Sequence, residues 1–283
     1  MTEPVPAAHL FSHEAMNTTF FLRICEPDAM TANGMARECC EQIDLLESRL
    51  SRFFDGSDVS RINRMRAGET LYLSESCHQC LLLALQGHSL TGGLFDITLG
   101  RPIAHLKSGQ DGAEPDIVGQ LIIHPDTPAI TCESPGREID LGGIGKGFAL
   151  DYLRQLLVDW GAEGGLLAAG ASSLIAFGSA AWPIDLTGDR ATQRITLMNT
   201  ALSASGSGIQ GSHIVHPGGE HAMPANPSRR VWVKAPTAAT AEIWSTALML
   251  LDPKDVPAFI AGDDSIDAVY LDDGEQVQRV ISC

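Results

Sequence analysis

The chain has 283 residues, of which 44% are hydrophobic and 19% charged, a composition typical of a folded globular protein. Its formal net charge of -16 argues against nucleic acid or an anionic membrane surface as a partner. No stretch approaches about 18 uninterrupted apolar residues, so we expect no membrane insertion. The N-terminal segment lacks the basic and apolar regions of a signal peptide, and seven scattered cysteines suit free thiols. A cytoplasmic location is therefore expected.

Hydrophobic periodicity predicts the elements of the N-terminal half. A strand at 20–25 is followed by an amphipathic helix at 31–50 and a leucine-rich helix at 75–91, which ends before Gly92-Gly93. The polar segment 51–63 between the helices is too long for a simple connector, which suggests a functional loop. Residues 101–119 are polar and irregular in pattern, and a loop is predicted there.

The C-terminal half is predicted to be mainly a sheet. Short strands flank Ile130 and Ile139, and others cover 166–169, 174–177, 182–186, 195–197 and 231–234. A helix follows a glycine-rich segment and ends at Gly161, a second helix covers 240–251, and a final hairpin turns at Asp273-Gly274. The small-residue run at 202–208 is interpreted as a flexible Ser/Gly loop. Because strands and helices do not alternate, we predict an α+β fold, with residues 1–283 as a single domain or as two interleaved subdomains.

The most informative segment is Asp140-Leu-Gly-Gly-Ile-Gly-Lys-Gly-Phe-Ala149, where an apolar strand-like run meets an amphipathic helix. Glycines let backbone N–H groups approach an anion, the helix N-terminus is electropositive, and Lys146 adds a full charge. The spacing matches neither a Walker A loop nor a dinucleotide-binding fingerprint. Phosphate binding and a glycine turn that packs a helix closely on a sheet are both compatible with this segment.

Other candidate sites rest on weaker patterns. Glu242 and Thr246 lie four residues apart on a helix and so share a face, where hard oxygen ligands would suit Mg²⁺, although such pairs are also common on exposed faces. His213 could act as a general base, and with His216 it offers only weak support for zinc, since no third ligand is evident. Cys77 and Cys80 could form half of a zinc site, but their leucine-rich helix favours core packing.

Seven segments together resemble the ApbE family of flavin transferases, in the order in which that family has them. They are Met16-Asn-Thr18, Ser51-Arg-Phe53 with Ser57–Asn63, Thr91-Gly-Gly-Leu-Phe-Asp96, the glycine-rich segment at 140–149, Leu202-Ser-Ala-Ser-Gly206, His213-Ile-Val-His-Pro217 and Ala241-Glu-Ile-Trp-Ser-Thr-Ala-Leu248. The resemblance extends from about Met16 to the C-terminus.

This resemblance implies an ApbE-like, T-fold-related mixed sheet with flanking helices and an FAD cleft between subdomains. It implies a Mg²⁺-dependent enzyme that moves FMN from FAD to a threonine or serine of a target flavoprotein and releases AMP. By the same resemblance Phe53 stacks on the isoalloxazine near Met16, and His213 is the catalytic base. Residues implied to bind FAD also include Asn63, Asp96, Asp140, Gly142, Lys146 and Ser205. The implied metal ligands are Glu242, Thr246 and the carbonyl of Gly143.

The chain departs from the family pattern at several of these positions. Glu242 replaces the family's metal-binding aspartate, Asn17 replaces the glycine of the first motif, and His216 replaces an aspartate. The segment 169–173 reads Ala-Gly-Ala-Ser-Ser where many members have Gly-Gly-Asp. Two alternatives to FMN transfer therefore stay open: hydrolysis of FAD to FMN and AMP, and FAD binding without efficient catalysis.

Overall fold

The computed structural model describes residues 8–108, 115–206, 215–218, 228 and 230–280. The helices are α1 (Ala29–Leu50), α2 (Asp58–Ile62), α3 (Glu75–Leu90), α4 (Gly100–Ser108), α5 (Gly145–Asp159), α6 (Ala238–Leu248) and α7 (Val256–Phe259). The first strands are β1 (His9–Ala15), β2 (Thr18–Cys25), β3 (Thr70–Tyr72), β4 (Gln120–Ile123), β5 (Ala129–Ser134), β6 (Gly164–Ala169) and β7 (Ser173–Gly178). The remaining strands are β8 (Trp182–Thr187), β9 (Thr192–Leu197), β10 (Ala201–Gly206), β11 (Arg230–Ala235), β12 (Ala268–Asp272) and β13 (Val277–Val280).

A large sheet organises the fold. Its eight strands lie in the order β1-β2-β6-β7-β10-β11-β12-β13, and every pairing between them is antiparallel. A smaller sheet has the order β3-β5-β4, and β8 with β9 forms a separate hairpin. The predicted α+β class is confirmed. In the described part of the chain, the parallel component of the expected mixed sheet is reduced to an isolated bridge between Leu99 and Glu138.

The large sheet is buried on both faces. Along β6 and β7, Leu167 and Ile175 join the main core with α1, α3, α5 and α6, whereas Leu166 and Ala176 join a second cluster with the β8–β9 hairpin. Alternate side chains of a strand point to opposite faces, so a strand covered on both faces becomes uniformly apolar. This explains why β6 and β7 are recognisable in the sequence as short apolar runs.

Several predicted elements were wrong. Residues 202–206 form β10 in the interior of the large sheet, not a flexible loop, because small side chains fit between β7, β11 and α6 despite low intrinsic strand propensity. Helix α4 occupies the start of the predicted loop at 101–119, with Pro102 in its first turn, where a missing N–H is tolerated. The predicted loop at 51–63 contains α2, and the strand expected around Ile139 is reduced to the bridge at Glu138.

The cysteines of α3 belong to the core. Cys77 and Cys80 are fully buried, and this burial raises the pKa of both thiols. Buried thiols with a raised pKa are unreactive and pack as small apolar side chains. Among the described residues, no helix is both long enough and apolar enough to cross a membrane.

Candidate functional site

Two adjoining clefts meet at the glycine-rich loop. The first lies between the segment after α3, the loop, β10 and α6, and the second lies between the loop, the β1–β2 turn and the segment after α1. The second has a volume of about 1040 Å³, at the upper end of the range for small-molecule sites. Both clefts are lined by Lys107, Asp140, Gly142, Lys146 and Ser172.

The glycine-rich loop is shaped by Asp140. One carboxylate oxygen accepts the N–H of Gly142 at 2.8 Å, and the other accepts from the Arg52 guanidinium at 3.0 Å. Arg52 also binds Glu138 at 2.7 Å and the carbonyl of Gly100 at 2.8 Å, and its side chain is only 12% exposed. Asp140 thus lines both clefts with both oxygens engaged in holding the loop. No local sequence pattern identifies Arg52, because its role depends on contacts with residues about fifty to ninety positions away.

Helix α5 presents its N-terminus at this loop. Its N-cap residue, Ile144, makes no side-chain capping hydrogen bond, and Lys146 lies in the first turn. The orphan N–H groups of such a turn, together with the helix dipole, favour an anion. Gly147 serves a different purpose, since a Cβ there would lie 2.5 Å from the carbonyl oxygen of Ala238 at the start of α6. The glycines of this segment therefore support both interpretations of the sequence, close helix packing and an open anion site.

Glu242 of α6 carries a buried oxygen without a partner. The residue is 3% exposed, and its Oε1 accepts the hydroxyl of Ser173 and lies 3.6 Å from Nζ of Lys146. Its Oε2 is buried and makes no hydrogen bond with the described residues. Burying an unpaired carboxylate oxygen is costly, so this atom is poised for a cation or a donor that enters the cleft. Ser173 and Glu242 are thus in direct contact, although they are 69 residues apart in the sequence.

Gly143 and Thr246 lie beside this carboxylate. Both line the first cleft with Glu242, and a Cβ on Gly143 would be 3.4 Å from the Thr246 hydroxyl oxygen. The described residues contain no cluster of three or more His, Cys, Asp or Glu side chains that could hold a metal. A metal here would instead be held by one carboxylate with hydroxyl and carbonyl oxygens, a hard-oxygen set that suits Mg²⁺ when substrate and water complete the coordination.

Asp151 connects the helix that follows the loop to the helix that carries Glu242. Its two carboxylate oxygens accept the N–H groups of Ala238 and Ala239 at 2.8 and 2.9 Å, so a side chain of α5 caps α6. Burial raises the pKa of Asp151 to about 6, although these two hydrogen bonds oppose the shift. The α6 helix therefore packs on the side of α5 that carries Asp151.

The remaining predicted residues divide between the two clefts. Met16 and Phe53 line the second cleft, and Phe53 is 83% exposed, with the Arg52 guanidinium 5.7 Å from its ring centre. Asp96 and Ser205 line the first cleft. Asp96 accepts from the backbone and hydroxyl of Thr98, each at 2.7 Å, which leaves its second oxygen 3.8 Å from an Arg137 nitrogen.

The turn before β2 places two non-glycine residues in the left-handed region. Met16 and Asn17 have φ angles of 51° and 56°. Asparagine is among the non-glycine residues that adopt this left-handed region most readily, so Asn17 suits the second position of the turn. The N–H of Met16 donates to Glu47 of α1 at 2.8 Å, which fixes the turn at the cleft wall.

One predicted site residue, Asn63, lies apart from the two clefts. The side-chain oxygen of Asn63 accepts the N–H of Ile139 at 2.7 Å and its NH₂ group donates to the carbonyl of Ile139 at 2.9 Å, so Asn63 joins the end of α2 to the segment before the glycine-rich loop. Asn63 lines neither cleft. His213, the predicted base, lies outside the described residues, so its position relative to the clefts stays a prediction.

This fold, with an uncapped helix start, a lysine and an unpartnered carboxylate oxygen around one loop, is suited to a phosphate-bearing ligand and a cation. The ApbE family model matches residues 16–270, and the chain therefore belongs to the ApbE family. It is 26% identical over 292 residues to an FAD:protein FMN transferase of Klebsiella pneumoniae (strain 342), covering 89% of this chain and 81% of that protein. A Chlamydia pneumoniae FAD:protein FMN transferase is 25% identical, with 92% and 91% covered.

Solved structures share the fold. The flavin transferase ApbE from Vibrio cholerae superposes with a TM-score of 0.80 at 21% identity, covering 98% of both chains. The ApbE protein from Thermotoga maritima gives a TM-score of 0.81 at 21% identity, with 96% of this chain and 97% of that chain covered. The resemblance to the ApbE family and the predicted fold class are confirmed.

Proposed function

We propose that the protein is an FAD:protein FMN transferase, an enzyme that transfers a phosphorus-containing group. The observation that carries the proposal is the Glu242 oxygen that has no partner, buried in a cleft beside Lys146 and the start of α5. Family membership and the activity named for the relatives support the same conclusion. The substrate would be FAD, and the acceptor a threonine or serine of a flavoprotein.

The proposed binding mode uses both clefts. The isoalloxazine would lie against the exposed ring of Phe53 near Met16, because a flat aromatic surface at a cleft mouth suits a fused ring system. The pyrophosphate would lie where the clefts meet, on the backbone of Gly142 and the charge of Lys146. Further nucleotide contacts are proposed for Asn63, Asp96, Asp140 and Ser205.

The proposed metal is Mg²⁺, held by Glu242, Thr246 and the carbonyl of Gly143. When bound, it would neutralise charge that develops on the pyrophosphate. Carboxylates lining the clefts are more numerous than cationic side chains, so an anionic substrate needs further positive charge there. The carboxylates are Glu47, Asp96, Asp140 and Glu242, and the cations are Arg52, Lys107 and Lys146.

The proposed reaction is a displacement at the phosphorus of the FMN half. The acceptor hydroxyl oxygen forms a new P–O bond, the bridging P–O bond breaks, and AMP leaves with that oxygen. His213 would take the hydroxyl proton, and Lys146 would stabilise the negative charge of the pyrophosphate as it breaks.

We propose that residues 1–283 form one domain that carries out this reaction. The free thiols of the described cysteines support a reducing, cytoplasmic location.

The test separates transfer from hydrolysis and from binding alone. Purified protein is incubated with FAD, Mg²⁺ and a cell extract, and AMP release and flavin fluorescence in protein bands under denaturing conditions are measured. The proposal expects AMP release that a chelator abolishes and a fluorescent band that needs the enzyme. AMP release that is independent of extract and leaves no labelled band would favour FAD hydrolysis. FAD binding without AMP release would favour a non-catalytic family member.

A further inference from the structure

Lys107, in the last turn of α4, lies where the two clefts meet. It lines both of them, as do Lys146, Asp140, Gly142 and Ser172. The charged residues that line both clefts differ in whether they pair with an oppositely charged side chain. Lys146 lies 3.6 Å from Glu242 and Asp140 binds Arg52 at 3.0 Å, whereas Lys107 makes no ion pair within the described ranges.

Lysine is scarce in this chain, which makes the position of Lys107 informative. The lysines are Lys107, Lys146, Lys234 and Lys254, in a protein with a formal net charge of -16. Lys107 and Lys146 both line the two clefts. Lys254 pairs with Asp252 at 3.3 Å and lines neither cleft. The Arg52 guanidinium is already committed to Asp140 and Glu138. Of the cationic side chains that line the clefts, Lys107 is thus the one whose charge no described carboxylate neutralises.

We propose that Lys107 is a second phosphate-binding cation, which captures the pyrophosphate of an incoming dinucleotide and hands it to the glycine-rich loop. This inference rests on the proposed function and adds to it a residue that none of the sequence motifs includes. An ammonium group on a long flexible stem is a mobile point charge suited to phosphate oxygens. Because Lys107 is exposed, its charge is screened by salt and acts mainly on the association rate.

Lys107 and Lys146 therefore have different roles. The Lys146 side chain is 15% exposed and lies beside a buried carboxylate, so it holds the phosphates after binding. Lys107 is exposed on a short helix at the cleft mouth, in a protein whose overall charge repels a dianion. Substituting Lys107 should slow association with phosphorylated ligands, and substituting Lys146 should speed their dissociation.

The experiment compares Lys107→Met and Lys107→Arg with the control Lys254→Met, which changes the net charge equally at an exposed site away from the clefts. Binding of FAD and of riboflavin is measured by stopped-flow flavin fluorescence in low and high salt. Lys107→Met should slow FAD association about three- to tenfold in low salt and much less in high salt. Riboflavin association should be unchanged, Lys107→Arg should keep most of the FAD rate, and Lys254→Met should behave as the parent.

Equal FAD association rates for Lys107→Met and the parent in low salt would overturn the inference and leave the proposed function intact. Equal losses for FAD and riboflavin would also overturn it, because they would mean that the substitution damages the cleft. A parent protein that binds no FAD would refute the proposed function, and this inference would fall with it.

Discussion

The carboxylate of Asp151 should make the stability of the protein fall as the pH rises. Burial raises its pKa from 3.8 to about 6, so the folded state holds the Asp151 proton more tightly than the unfolded state does. A raised folded pKa contributes stability that is fully present below the unfolded pKa and is lost as the pH rises through the folded pKa. The window of loss is therefore about pH 4 to 6, and the whole shift corresponds to roughly 3 kcal/mol at 1.36 kcal/mol per pKa unit.

Asp151→Asn isolates this effect, because asparagine cannot ionise and still accepts one of the two hydrogen bonds from the start of α6. Unfolding is measured between about pH 5 and 8 at low protein concentration, because the sequence pI is about 4.8 and the net charge is small at the lower end of this range. About one pKa unit of the shift falls within that range, so from pH 5 to pH 8 the free energy of unfolding of the variant should rise by roughly 1 kcal/mol relative to that of the parent. Urea titrations at several pH values give this difference directly.

Asp273→Asn provides a control, because the pKa of Asp273 is shifted in the opposite direction from that of Asp151. Hydrogen bonds from the backbone of Gln276 and Glu275 lower the pKa of Asp273, so its contribution is present above the unfolded pKa and lost as the pH falls. That variant should therefore show no gain with rising pH. The reasoning would be refuted if the difference in free energy of unfolding between the parent and Asp151→Asn stayed constant from about pH 5 to 8. Asp151 would then ionise alike in the folded and unfolded states.

Substitutions at three further positions test the proposed site. Phe53→Ala should weaken FAD binding by roughly 0.5 to 1.5 kcal/mol, whereas Tyr72→Ala, at an aromatic ring that is 74% exposed away from both clefts, should leave it unchanged in the same fluorescence titration. Lys146→Met should cost FAD roughly 1.5 to 3 kcal/mol and riboflavin little, and an equal loss for both ligands would point to a damaged fold. Glu242→Gln should abolish chelator-sensitive AMP release from FAD, while Glu242→Asp should keep it with greater preference for Mg²⁺ over Mn²⁺. A Gln variant as active as the parent would exclude a catalytic metal on α6.

Much of the fold is predictable where one periodicity dominates. Helix α1 was placed within two residues of its observed start and at its observed end, and the β12–β13 hairpin follows from two apolar strands around an Asp-Gly turn. Strand β10 was not predictable, because its alanines, serines and glycine have low strand propensity and form a strand only between two neighbouring strands. Helix α4 was missed because its exposed, polar sequence buries little.

The candidate site was predictable to the extent that local segments carry it. The glycine-rich segment indicated an anion site at a helix start, and the i, i+4 spacing of Glu242 and Thr246 placed both on one helix face. Contacts across the fold left no local pattern. Ser173 bonds to Glu242 and Arg52 bonds to Asp140 only after the sheet and helices pack, so neither partner could be found from periodicity or spacing.

The geometry of the site depends on how α5 and α6 pack, more than on either helix alone. Gly147 lets α5 approach the carbonyl oxygen of Ala238 so closely that a Cβ would lie 2.5 Å away. One turn later, Asp151 accepts the N–H of Ala238 at 2.8 Å, which fixes the start of α6 at the same place. Lys146 precedes the first contact by one residue, and Glu242 follows the second by one helical turn, so the 3.6 Å between their charged atoms is set by these two contacts. A larger residue at 147 should therefore separate the lysine from the carboxylate even though it touches neither.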